Sequence, residues 1–175
     1  MNRKVIQAMG ETILRMHGIQ KFFPGVHALN NAQLEVRAGE VLALVGENGA
    51  GKSTLMKILT GVYTKDEGTI EYFGQPIEIR SPKDAQDHGI SIVHQELNLM
   101  QELTVAENIF IGREPSSGLF LNQAKQNKMT QELLDSLHLS ISPTTVVKRL
   151  TVAKQQMVEI AKALSYNNTK ILIMD

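Results

Sequence analysis

The chain has 175 residues, 18 Lys and Arg against 18 Asp and Glu, no Cys and 42% hydrophobic residues. That length predicts one compact unit spanning 1–175, able to bury about 70% of the surface of its unfolded chain. Neutrality argues against a nucleic-acid binder that depends on a strong basic field, and the lack of Cys excludes disulfides and Cys-ligated zinc.

In chain order, Thr12 to His17 reads as a first strand, and Ala32 to Val36 alternates as a half-buried strand does. After a turn at Arg37 to Glu40, the all-apolar run Val41 to Val45 predicts a strand buried on both faces. A glycine-rich loop follows, then a helix over Lys52 to Thr60 that buries Leu55, Ile58 and Leu59 and stops at Gly61. Thr69 to Tyr72 and Ile77 to Ile79 are expected to be strands around a turn at Gly74. Ser81, Pro82 and Asp84 carry a helix-start pattern, and Ile90 to Val93 reads as another strand. Thr104-Val-Ala-Glu107 is a capping box. Met129, Leu133, Leu134 and Leu137 predict one amphipathic helix, and Ala153, Met157, Ile160, Ala161 and Leu164 a second. Lys170 to Asp175 returns to strand, so residues of about 103–165 are expected to form a helical subdomain within an α/β core. No run reaches the ~20 apolar residues of a membrane helix, and no signal peptide is expected after Arg3 and Lys4.

Gly46-Glu47-Asn48-Gly49-Ala50-Gly51-Lys52-Ser53, followed by Thr54, fits G-x-x-x-x-G-K-[ST] in full, between a predicted strand and a predicted helix. The glycines let backbone N–H groups wrap phosphate oxygens, and the helix start directs its positive end at the same place. Lys52 is expected to reach the β- and γ-phosphates and Ser53 to ligate Mg²⁺. A guanine reader N-K-x-D is not found, since Asn127-Lys128-Met129-Thr130 ends in Thr and sits in a predicted helix. The five His residues show no metal-binding spacing, and Asp66, Glu67, Lys83 and Asp84 read as solvated charges.

Further segments carry a family resemblance. Lys21-Phe-Phe-Pro-Gly-Val-His-Ala-Leu29 precedes the loop; Val93-His94-Gln95-Glu96 follows a strand; Leu150 to Leu164 precedes Ile171-Leu-Ile-Met-Asp175. In this order the chain resembles the nucleotide-binding domain of ABC transporters, a P-loop NTPase core with antiparallel β elements and a helical subdomain. His94 to Leu99, Ala106 to Arg113 and Gln155 to Lys162 resemble, more narrowly, the first half of the tandem ATPases of bacterial monosaccharide importers of the ribose, galactose and autoinducer-2 type.

The resemblance implies ATP and Mg²⁺ as cofactors. Phe23 would be the adenine-stacking aromatic, or else a core Phe beside Phe22. Gln95 would be the Q-loop glutamine, a Mg²⁺ and water ligand, or else a solvated loop residue. Asp175 would hold Mg²⁺ at the end of the Walker B strand, or else only close that strand. Two departures stand out. Leu150-Thr151-Val152-Ala153-Lys154 replaces the glycines of the family's L-S-G-G-Q signature, adding Cβ atoms where backbone approaches phosphate. The sequence also ends at Asp175, before the family's catalytic Glu and switch His, which suggests a C-terminally incomplete domain. The implied function is energising monosaccharide uptake at the cytoplasmic face of the plasma (inner) membrane. The partners would be permease subunits, a second nucleotide-binding domain with an intact signature and, indirectly, a periplasmic or extracellular sugar-binding protein, with no nucleic acid. The alternative is a truncated, catalytically inactive nucleotide-binding fragment.

Overall fold

The structure is a computed structural model that describes residues 10–117, 120–166 and 169–174. It divides into two compact units, 1–85 and 86–175.

In the first unit, β1 (Thr12–Phe23) and β2 (Val26–Arg37) form a long antiparallel hairpin, both extending beyond the predicted strands. β1 also pairs with β3 (Glu67–Tyr72), and β3 with β4 (Gln75–Ile77), giving an antiparallel sheet in the order β2-β1-β3-β4. The β3–β4 turn sits on Phe73 and Gly74, both with positive φ (48° and 73°), the backbone a two-residue type I′ hairpin requires. Leu14, Met16 and Ile19 of β1 and Ile70 of β3 are buried, and burying such a side chain contributes about 1.5–3 kcal/mol.

Helix α1 (Lys52–Leu59) packs against β2 and buries Leu55, Ile58 and Leu59, the predicted face. It ends as predicted: Thr60 N–H donates to Met56 O at 2.8 Å, and Gly61, with φ of 72°, donates to Ile58 O at 3.1 Å. α2 (Pro82–Asp87) starts with Asp84 N–H donating to Ser81 Oγ at 3.1 Å.

The expected buried strand before the glycine-rich loop is not formed. Val41 to Val45 belongs to no strand, and Val41 and Val45 are 99% and 88% exposed. A two-sided apolar strand needs ladder partners and cover on both faces. Neither is supplied to this run among the described residues.

The second unit contains β5 (Ile90–Val93) and β8 (Ile171–Met174), paired in parallel from Ile90–Ile171 to Val93–Met174. Between them lie α3 (Val105–Phe110), a short hairpin of β6 (Ser116–Ser117) and β7 (Phe120–Leu121), α4 (Gln123–Ser136), a 3₁₀ turn over Val147–Arg149 and α5 (Val152–Leu164). The capping box is made in full: Glu107 N–H donates to Thr104 Oγ1 at 3.2 Å, and Thr104 N–H donates to Glu107 Oε2 at 2.7 Å. α3 packs against α4 and α5 around Val105, Ile109, Leu134, Val147, Val158 and Ala161.

The buried face of α5 keeps Ala161 but is centred away from the other expected positions. Gln155, Val158, Ala161 and Ala163 are buried, whereas Ala153 is exposed and Met157 and Ile160 are only half-buried. Gln155 is satisfied there, its Nε2 donating to Val147 O at 3.2 Å and Leu150 O at 3.1 Å. Apolar periodicity cannot see a buried amide that bonds the carbonyls of the preceding turn.

Candidate nucleotide site

Gly46 to Ala50 is an exposed loop running into α1. Ala50 N–H donates to Glu47 O at 3.2 Å, closing a turn, and Gly49 and Gly51 take left-handed backbone with φ of 87° and 85°. Gly51 is the N-cap of α1. It has no side chain to cap the helix, and no acid occupies the first turn. The N–H groups at the start of α1 therefore meet neither a capping oxygen nor a competing carboxylate, the condition under which a helix start attracts an anion.

Lys52 crosses the loop. Its Nζ donates to Gly46 O at 2.6 Å and Glu47 O at 2.9 Å. Those bonds hold the ammonium in the loop's mouth, with a third N–H left for an anion. Ser53 is exposed and Thr54 half-buried on the next positions of α1. Gly51 is also a close approach: a Cβ there would lie 2.5 Å from Leu29 Cδ2 and 2.8 Å from Ala28 O. A Cβ on Gly49 would meet nothing within 4 Å, so this glycine serves its backbone conformation alone. These residues fit a polyphosphate: uncapped N–H groups, a tethered ammonium and a hydroxyl converge on one exposed loop.

Phe23 lies in the same unit as the loop, half-buried at the end of β1. Its ring meets Tyr63 at 5.2 Å between centroids and 70° between planes, with Lys21 Nζ 5.5 Å from its centroid. Phe22 is 50% exposed and stacks on His27 at 4.2 Å. The two aromatics are thus in separate environments, and neither packs on the other as a core pair.

Gln95 belongs to the second unit, exposed in the loop after β5. That loop is fastened by Asn98, whose N–H donates to Glu159 Oε1 of α5 at 2.5 Å and whose Nδ2 donates to Glu96 O at 3.2 Å. Asp175 lies outside the described residues. In the altered signature segment, Thr151 caps α5, accepting Lys154 N–H at 3.4 Å, and Val152 is 63% exposed on its first turn.

Sequence reasoning missed one contributor. Asp66 is not merely a solvated charge: Oδ1 accepts from Lys21 Nζ at 2.9 Å and Oδ2 from Phe22 N–H at 2.6 Å. Those bonds, the backbone one foremost, hold its carboxyl below the usual Asp range. Asp84, expected at a helix start, accepts Arg80 N–H at 3.0 Å there. The partners of Asp66 lie 44 and 45 residues away, so no local spacing announces them. Among the described residues no group of three or more His, Asp or Glu could hold a metal ion, and no helix is long and apolar enough to cross a membrane.

A G-x-x-x-x-G-K-S loop running into the start of a helix that packs on β2 marks a P-loop nucleotide-binding protein. The profile of the family described as ABC transporter matches residues 29–175, and the chain belongs to that family. A nucleotide-free ATP-binding cassette from an ABC transporter is similar to it with a TM-score of 0.78 and 28% identity, covering 94% of this chain and 69% of that one. The ADP conformation of MJ1267, an ATP-binding cassette of an ABC transporter, gives 0.79 and 25%, covering 94% and 81%.

A protein of Albidiferax ferrireducens named as a ribose/galactose/methyl galactoside import ATP-binding protein is 57% identical over 166 residues, 94% of this chain and 33% of its own length. One of Burkholderia cenocepacia with the same designation, numbered 2, is 56% identical over 167 residues, 94% and 32%. The chain thus spans about a third of the length of the curated relatives it matches.

Proposed function

We propose that the chain is the ATP-binding component of a carbohydrate ABC importer, coupling ATP binding and hydrolysis to monosaccharide uptake through membrane permease subunits. The observation that carries this reading is the 57% identity, across 94% of the chain, to a relative named for ribose/galactose/methyl galactoside import. The phosphate loop supplies the chemistry. N–H groups of Gly49, Gly51, Lys52 and Ser53 and the Lys52 ammonium bind the β- and γ-phosphates, and the Ser53 hydroxyl, Gln95 and Asp175 hold Mg²⁺. Bound Mg²⁺ neutralises charge on the phosphates. Phe23 offers a π-face to adenine, and Gln95 orients water. The protein acts at the cytoplasmic face of the membrane, with residues of about 103–165 turned to the permease. A second nucleotide-binding domain with an intact signature completes the ATP site, and a sugar-binding protein delivers substrate on the other side. Deleting the gene and measuring uptake of labelled monosaccharides tests this. Lost uptake, restored by the wild-type gene but not by Lys52→Ala, is expected; unchanged uptake of every monosaccharide refutes the transport role.

A second reading is favoured by Val152 and Ala153 on the first turn of α5. With Cβ atoms at both positions this segment is a poor γ-phosphate donor, and the chain by itself binds nucleotide without turning it over. Steady-state Mg-ATP hydrolysis by the purified chain tests this second reading. Turnover that Lys52→Ala abolishes refutes the second reading.

A further inference from the structure

Tyr63 ties Phe23 to the helix that carries the phosphate loop. Tyr63 N–H donates to Lys57 O of α1 at 3.0 Å, and Lys57 Nζ lies 5.4 Å from the Tyr63 ring centroid. The ring then meets Phe23 at 70°, an edge-to-face arrangement whose energy depends on direction and which therefore fixes orientation as well as contact. Three residues further on, Asp66 secures the strand end. Its N–H donates to Gln20 O at 3.0 Å, and its carboxylate takes Phe22 N–H and the Lys21 ammonium, the ammonium that also stands over the Phe23 ring. Lys21 pairs across β2 with Leu29, the side chain a Cβ on Gly51 would strike. One helix thus begins at the phosphate loop and delivers, just past its other end, the residue that orients Phe23.

We infer that Tyr63 is a positioning residue for recognition of the nucleotide base: it holds the Phe23 ring at a fixed place relative to α1 and so to the phosphates. The inference rests on the proposed role of Phe23 as the adenine platform. Tyr63 touches no phosphate ligand, so its effect falls on ligands that carry a base and spares those that do not.

The test compares ATP with inorganic tripolyphosphate, by calorimetry, in the wild type, Tyr63→Leu, Tyr63→Phe and Phe23→Ala. Tyr63→Leu keeps apolar bulk but loses the aromatic edge. It is expected to weaken ATP about threefold to tenfold while tripolyphosphate is unchanged, and Tyr63→Phe to restore ATP binding. Tripolyphosphate binding also reports that each variant has folded its loop. Equal weakening of both ligands in Tyr63→Leu, or no weakening of either, overturns the inference. A selective ATP loss in Phe23→Ala with Tyr63→Leu silent overturns it alone and leaves the base-stacking reading standing. No selective loss in Phe23→Ala overturns both.

Discussion

Gly51 and Leu29 define how tightly the phosphate loop is seated: a Cβ on Gly51 would lie 2.5 Å from Leu29 Cδ2, against a buried residue of β2. Because Gly51 also has a φ of 85°, Gly51→Ala meets two penalties, steric and conformational. It is expected to destabilise the fold by about 1–3 kcal/mol and to weaken nucleotide binding more than Gly49→Ala, which meets open space and carries only the left-handed penalty. Thermal melts and calorimetric titration with ATP, run side by side on the two variants, measure the contrast.

Lys52→Ala removes two bonds to loop carbonyls as well as the charge offered to phosphate. Charged hydrogen bonds contribute about 1.5–3 kcal/mol each, so a loss of tenfold or more in ATP affinity is expected. Lys52→Arg is expected to rescue little, since a planar fork does not reproduce a compact ammonium between Gly46 O and Glu47 O. Filter binding of labelled ATP to the three proteins checks the order.

Val152→Gly with Ala153→Gly restores the signature glycines at the start of α5. The double variant is expected to cost about 1–2 kcal/mol of stability, from two glycines in a helix's first turn. It is also expected to raise ATP turnover when the chain is paired with a second cassette. Unchanged turnover with the stability loss alone would mean that these positions meet no phosphate.

The Thr104–Glu107 capping box has a pH signature. Accepting the Thr104 N–H and hydroxyl holds the Glu107 carboxyl below its ordinary range. A carboxyl that titrates lower folded than unfolded stabilises fully above its unfolded pKa, and its contribution fades as pH falls through the folded value. Urea midpoints are therefore expected to converge between wild type and Glu107→Gln on acidification from about pH 6 to about pH 3. Thr104→Ala is expected to cost about 1 kcal/mol at neutral pH.

Features that depend on a few neighbouring residues were legible. The phosphate loop, the buried face of α1 and the capping box each rest on spacings of three to seven residues, and the structure forms all three. The misses are long-range or polar. Asp66 finds its partners on β1, and Gln155 is buried because the carbonyls of Val147 and Leu150 satisfy it. Val41 to Val45 shows the converse. An unbroken apolar run implies burial, yet burial belongs to the neighbours a run acquires and not to the run itself.

That run also bears on ligand affinity. The phosphate loop is held at its downstream end by α1 and by the fit of Gly51 to Leu29, but upstream it continues into five residues that belong to no strand among the described residues. Any residue of this stretch that nucleotide binding fixes costs conformational entropy of about 1–2 kcal/mol, and the affinity is what remains after that loss. A strand that pairs with Val41 to Val45 would accordingly tighten ATP binding without touching the nucleotide, and the change would register as a smaller entropic penalty in calorimetry.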